Sequence, residues 1–285
     1  MQQHRLPILA SFFALYVIWG STYFAIRIGV QSWPPLMMAG VRFLLAGALL
    51  YAWLKWRGQA NPGWREVRGA AVLGLLMPAI GNGLVTMAET HVSSGVAALV
   101  VATVPLFTTL FACFMGHKTR PVEWVALGLG FGGIAILNMG SNLSASPLGA
   151  ALLIAACVGW ALGSALGKKL PQPKGLMSSA VMMLTGGAEL LLGSVLCGEH
   201  LSAMPTTAGW MALLYLVVFG SIIGYSAYLY LLSHVSPSAA TSYAYVNPVI
   251  AVLLGMGLLN EHVGVHEWAG MAVIISAVGL LALRR

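Results

Sequence analysis

The sequence predicts an all-α integral membrane protein, with ten transmembrane helices arranged as two inverted five-helix repeats. Three observations predict it. Of 285 residues, 59% are hydrophobic and only 7% charged, against roughly 25% charged in an ordinary soluble domain. The apolar residues fall into ten runs of membrane-spanning length, and the chain matches itself at an offset of 143 residues. With 14 Lys and Arg and 7 acidic residues, there is too little charge to cover a soluble surface of this size. A soluble enzyme, a disordered chain and a nucleic-acid-binding domain are thereby excluded. The surroundings of most of the chain are lipid. Cys113, Cys157 and Cys197 lie in apolar runs without a CxxC pair and read as small packing residues.

An apolar helix needs about 20 residues to cross the hydrocarbon core. Reading runs between Pro, Gly, Asn and charge places the spans at 7–31, 34–55, 67–88, 93–116, 122–139, 147–167, 176–197, 207–232, 237–259 and 265–283. The first span follows a short basic start ending at Arg5. Its apolar stretch is longer than the roughly 7–15 residues of a signal-peptide core, and no small-x-small site follows closely. It therefore reads as a retained helix. The residues left over form short loops, so no extramembrane domain is expected. A barrel would need alternating strands of about ten residues, whereas runs such as 271–283 are continuously apolar.

Orientation follows from the basic residues. With ten spans both termini share one side. That side carries Arg5, Lys55, Arg57, Arg65, Arg68, Lys118, Arg120, Lys168, Lys169, Lys174, Arg284 and Arg285, which is 12 of the 14. The opposite loops between spans 3/4, 5/6, 7/8 and 9/10 hold none. The termini are accordingly expected in the cytoplasm.

The self-match is specific. His91-Val92-Ser93 aligns with His234-Val235-Ser236, Gly81 with Gly224, Ala97 with Ala240, Pro105 with Pro248 and Leu110 with Leu253. One residue of slip later, Glu123-Trp124 meets Glu267-Trp268. The expected units are 1–140 and 147–285. Five spans per unit is an odd number, so the second unit enters the membrane from the other side. Inverted repeats recur in secondary transporters, where each half adopts in turn the shape of its twin. The other reading is duplication without mechanical meaning, as in a passive channel or facilitator for small polar solutes.

Polar residues inside the spans mark the candidate interior. Asn82, Thr86 and Glu89 recur at i, i+4 and i+7 and form one polar helical stripe, which lipid would penalise. Span 8 repeats the pattern with Ser221, Tyr225 and Tyr228, and span 9 places Thr241, Tyr245 and Pro248 on one face with Tyr243 and Asn247 beside it. Span 1 carries Tyr16, Trp19, Tyr23 and Arg27, and span 6 carries Trp160 and Ser164. Aromatic walls with few hydrogen-bonding groups suit a small organic solute with apolar parts better than a bare ion. The candidate solute-contacting residues are Trp19, Tyr23, Asn82, Thr86, Trp160, Ser164, Tyr225, Tyr228, Tyr245 and Asn247.

Arg42 lies about eight residues into span 2, about 12 Å deep at 1.5 Å per residue, and Glu189 sits at similar depth in span 7. A charge there costs a few kcal/mol unless paired or hydrated. Arg42 either pairs with Glu189 or Glu89 or lines a wet cavity. The bland alternative is an ion pair that only fixes helix packing. Arg27 is expected to reach toward the outer interface. If protons are coupled, Glu89 and Glu189 are the carboxyls placed to carry them, since the chain has no Asp. Pro105 and Pro248 each remove a helix hydrogen bond near mid-span, and are hinges or static kinks. His91 and His234 read as caps or interfacial residues rather than proton carriers. Glu261, His262, His266 and Glu267 read as a solvated turn without metal-ligand spacing. No P-loop motif occurs, so direct ATP hydrolysis is not expected; neither is a cofactor, a metal, a nucleic-acid partner or an enzymatic activity.

The order Trp19-Gly20-Ser21-Thr22-Tyr23, Arg27, Pro34-Pro35, Ala39, Arg42-Phe43 resembles the first helix pair of an EamA-type transporter of the drug/metabolite transporter superfamily. Trp160 with Ser164, Met183-Leu184-Thr185-Gly186-Gly187, Tyr228, Ser236, Ala240, Pro248 and Glu261 extend the likeness over the second half. It is nearest to bacterial inner-membrane exporters of unassigned substrate. The resemblance implies ten helices in two inverted repeats and a central cavity lined by spans 1, 3, 4, 6, 8 and 9. It also implies export of amino acids, related metabolites or amphipathic drugs, by a monomer or homodimer. Met182 departs from the polar residue often found there in the family, and Glu189 stands where an apolar residue is expected.

Overall fold

The computed structural model describes residues 5–114, 121–139, 146–167, 169–234 and 243–282. All regular structure among them is helical. In chain order, α1 covers 5–29, α2 is Pro35–Trp56, α3 is Trp64–Ala88, α4 is Ser94–Val101, α5 is Val104–Phe114 and α6 is Pro121–Met139. Then come α7 (Pro147–Leu166), α8 (Leu176–Leu196), α9 (207–234), α10 (Tyr243–Leu259) and α11 (Val265–Ala282). Six of these, in α1, α2, α3, α7, α8 and α9, are long and apolar enough to cross a membrane. The apolar helices in 94–108, 124–133, 246–259 and 265–277 are shorter. Lys118, Arg120, Lys168, Val235, Ser236, Ala240, Thr241, Arg284 and Arg285 lie outside the described residues, as do the side chains of Arg5, Cys113, Glu123 and Tyr245.

Local chemistry sets the helix ends. Pro35 occupies the first turn of α2, where its missing N–H costs nothing. Ser93, Ser146 and Thr206 start α4, α7 and α9, each side chain accepting from the backbone N–H three residues on. Two carboxylates cap helices from far along the chain. Glu199 accepts from Leu36 N and Met37 N at 3.1 and 2.8 Å, placing a negative charge at the positive end of α2. Glu261 accepts from Ser94 N at 3.0 Å and from Ser94 Oγ at 2.9 Å, at the start of α4. Glu261 is therefore a helix cap rather than part of a solvated turn.

The two mid-span prolines behave differently. At Pro105 the helix stops at Val101 and restarts at Val104, and the Thr103 hydroxyl donates to Val100 O at 2.6 Å. A proline ring clashes with the carbonyl four residues back, here Val101. The expected kink is thus a break. Pro248 sits inside one continuous helix, α10. Wide π-helical turns interrupt α1 at Ala14–Trp19, α3 at Leu75–Gly83 and α9 at Leu216–Ile223. The stretches in α3 and α9 overlap at the 143-residue repeat offset, and Pro78 lies within the first.

Packing follows a regular pattern. α2 lies along α8 and α6 along α11; α3 packs on α7, α1 on α9, and α4 on α10. The α2–α8 crossing is close enough to require glycine: a Cβ on Gly187 would sit 2.6 Å from Leu44 N and 3.0 Å from Gly40 O. Two apolar clusters fill the interior. One gathers residues of α1, α2, α3, α8 and α9, such as Leu15, Phe43, Met183 and Leu213. The other gathers α4, α5, α7, α10 and α11, such as Leu99, Leu106, Leu153 and Ile274.

Candidate functional site

Where the two clusters meet, the helices line a cavity of about 70 Å³. Its centre is Trp19, at the end of the wide turn in α1. The indole Nε1 donates to Gly220 O at 3.0 Å, which fixes the ring against α9. Around it stand Tyr243, Tyr228, Tyr225 and Trp160, with centroids at 5.0, 5.5, 5.7 and 6.0 Å. Three of the four contacts are edge-to-face, at 88°, 69° and 87°. That geometry sets the positive ring edge against a neighbour's negative face.

Six of the expected solute-contacting residues line this cavity: Trp19, Tyr23, Asn82, Trp160, Tyr225 and Asn247. Asn82 Nδ2 donates to Tyr225 Oη at 3.3 Å, joining α3 to α9. With its amide turned to suit its neighbours, Asn247 donates to Tyr243 O at 3.1 Å and to Leu15 O and Tyr16 O at 3.2 Å. Three others stand behind the wall. Thr86 donates back to Asn82 O and Ser164 back to Trp160 O, both at 2.8 Å within their own helices. Tyr228 is buried and supports the Trp19 ring from outside the lining.

Tyr243, Thr22 and Cys157, which were not among the expected solute-contacting residues, also line the cavity. Tyr243 precedes Asn247 by four residues, one helical turn, so these two share the inward face of α10. That face is turned to the cavity, while Pro248 is buried outside the lining. Cys157, read as packing, has its Sγ 3.5 Å from Val100 O, next to the α4–α5 break.

The charged residues separate into distinct roles. Arg42 is 3% exposed and lines the cavity. Its Nε donates to Ser221 Oγ at 2.9 Å, and its guanidinium carbon lies 4.7 Å from the Phe43 ring centroid. Its hydrogen-bond partner is thus a serine hydroxyl, and neither Glu89 nor Glu189 pairs with it. Arg27 donates through Nη1 to the backbone O of Glu89, at the end of α3. Glu89 follows the end of α3 with no solvent exposure, and neither carboxyl oxygen has a hydrogen-bond partner. Glu189 is half-buried on α8, away from the cavity lining, and one of its oxygens is buried without a partner. Pro105 lines the cavity at the break; Pro248 is buried outside the lining.

Among the described residues, eight helices supply the lining: α1, α2, α3, α4, α5, α7, α9 and α10. A sequence profile of the EamA-like transporter family matches residues 6–139 and, a second time, residues 147–283. The chain belongs to this EamA-like transporter family. This transporter is 54% identical over 279 residues to the uncharacterized inner membrane transporter YedA of Escherichia coli strain K12, covering 98% of this chain and 91% of that protein. It is 26% identical to the uncharacterized transporter YvbV of Bacillus subtilis strain 168, covering 97% and 91%. One solved crystal structure superposes with a TM-score of 0.68 at 20% identity, covering 98% of this chain and 99% of the other. That last likeness is one of fold.

Proposed function

We propose that this transporter is a multi-pass inner-membrane carrier that exports small organic solutes by alternating access. The proposal includes ten spans in two inverted units, 1–140 and 147–285, with both termini cytoplasmic. The observation that carries it is the aromatic cavity, whose walls come from both units: Trp19, Tyr23 and Asn82 from the first, Trp160, Tyr225 and Asn247 from the second. The packing supports inversion as well. Exchanging the two units maps the α2–α8 and α6–α11 contacts onto themselves and exchanges α3–α7 with α1–α9, as a pseudo-two-fold axis in the membrane plane would. The name of the Escherichia coli relative supports the inner membrane as location.

In this reading the break before Pro105 and the proline within α10 are the bending points. Glu89 carries a coupled proton, because a carboxylate buried with neither oxygen bonded costs several kcal/mol and protonation removes that cost. A monomer suffices, since one chain supplies both units. The test is flux in liposomes containing the purified full chain and a panel of labelled amino acids, organic acids and amines. Saturable uptake competed by unlabelled solute is expected. If no panel member moves or competes, the transport reading falls, and continuous, non-saturating conductance would replace the carrier by a channel.

A further inference from the structure

The cavity has one charge in its lining, and it is positive. Arg42 Nε is taken by Ser221 Oγ, while neither terminal nitrogen has a hydrogen-bond partner among the described residues. No acidic residue lines the cavity. The carboxylates of Glu199 and Glu261 are committed to helix starts, and Glu189 lies off the lining. Glu89 is buried outside the lining with its oxygens unbonded, close enough to Arg42 to interact with it electrostatically. The guanidinium is backed by Gly220, where an added Cβ would meet Arg42 Nη2 and Thr22 Cγ2, each at 3.0 Å. A planar fork of donors so held, on a side chain only 3% exposed, matches a carboxylate.

We infer that the transported solute is an amphiphilic organic monoanion, an aromatic or branched-chain carboxylate, bound with its carboxylate on the terminal nitrogens of Arg42 and its apolar body among Trp19, Trp160 and Tyr225. This rests on the transport reading above and narrows it. A cationic amphiphile would gain ring-face contacts but share the cavity with the buried guanidinium of Arg42. A zwitterionic amino acid would satisfy Arg42 and leave its ammonium without a charged partner, a buried charge that water must be given up to accommodate. A neutral alcohol would leave the guanidinium uncompensated.

The experiment is calorimetric titration of the purified full-length protein with four probes sharing one body: 3-phenylpropionate, phenylalanine, 2-phenylethylamine and 3-phenylpropanol. The anion is expected to bind at least about tenfold more tightly than the other three, as one charge-assisted contact implies. Arg42→Gln should weaken the anion about tenfold to a hundredfold and leave the alcohol nearly unchanged, while Arg42→Lys should keep part of the preference. Gly220→Ala, which crowds Nη2 without removing the charge, should weaken the anion as well and serves if Arg42→Gln does not fold. Equal or tighter binding of the amine, the zwitterion or the alcohol overturns the inference. So does binding of none of the four, or unchanged anion affinity in both Arg42→Gln and Gly220→Ala. If liposomes meanwhile move another class of solute, the transport reading stands and this inference alone falls.

Discussion

Trp19 Nε1 donates to the carbonyl oxygen of Gly220 across 201 positions of sequence, at 3.0 Å. This bond ties the first helix to α9 at the centre of the aromatic cavity. The carbonyl lies in the wide turn Leu216–Ile223. Replacing Trp19 by Phe keeps a ring and removes the donor. The expected loss is about 1–3 kcal/mol, the cost of a buried acceptor left without its partner. Thermal unfolding of the detergent-solubilised protein measures it, and an unchanged midpoint would show that the bond contributes nothing.

Trp160 and Tyr228 both touch Trp19, but only Trp160 lines the cavity. Trp160→Ala should therefore weaken solute binding. Tyr228→Ala should act mainly on stability, by about 3–5 kcal/mol for a buried aromatic truncated to Ala. Titration and thermal unfolding of the two variants, compared side by side, distinguish wall from buttress. Equal loss of affinity in both would place Tyr228 in the wall.

Glu89→Gln keeps the shape of the side chain and removes its proton exchange. Solute flux driven by a pH gradient should then lose its dependence on that gradient, while downhill exchange continues. Flux measured in liposomes with and without an imposed gradient decides it. Retained dependence in Glu89→Gln would exclude this carboxyl as the proton carrier.

Glu199 and Glu261 each cap a helix that begins far away in sequence. Alanine at either position should cost about 1–2 kcal/mol, the usual value of a cap with its charge–dipole contribution. Glu199→Ala also removes the bond from Ser194 Oγ at 2.7 Å, so it should be the more damaging of the two. The order of the two midpoints is the measurement.

Gly187→Ala would bring a methyl to within 2.6 Å of Leu44 N, where neither backbone has room to move. Overpacking of this kind typically costs about 1–3 kcal/mol. The variant's midpoint should fall by a matching amount, whereas a substitution at Gly128, which faces open space, should leave it unchanged.

The sequence was most informative where a single physical rule applied. Lipid demands long apolar helices, so the helical segments fall where the apolar runs do. The polar stripe on span 3 faces inward along its length, with Asn82 on the cavity and Thr86 and Glu89 buried, because lipid solvates polar side chains poorly. It was less informative wherever two faces of a helix were nearly equal. On α10, Pro248 looked as suitable as Asn247, and only packing against α1 chose between them. Arg42 illustrates a second limit: its partner is the hydroxyl of Ser221, 179 positions away, and charge alone pointed to a carboxylate. The caps formed by Glu199 and Glu261 could not be foreseen either, since no local capping pattern links them to the helices they start.

The three widened turns have a consequence for insertion and deletion. A stretch such as Leu75–Gly83 accommodates a surplus residue that an ordinary helix would have no place for. Excising one residue there would restore tighter winding and leave the flanking surfaces aimed as before. The same excision in α2, which has no such slack, would swing everything beyond it by roughly 100°. The chain should therefore tolerate a one-residue shortening within 14–19, 75–83 or 216–223 far better than in any evenly wound stretch.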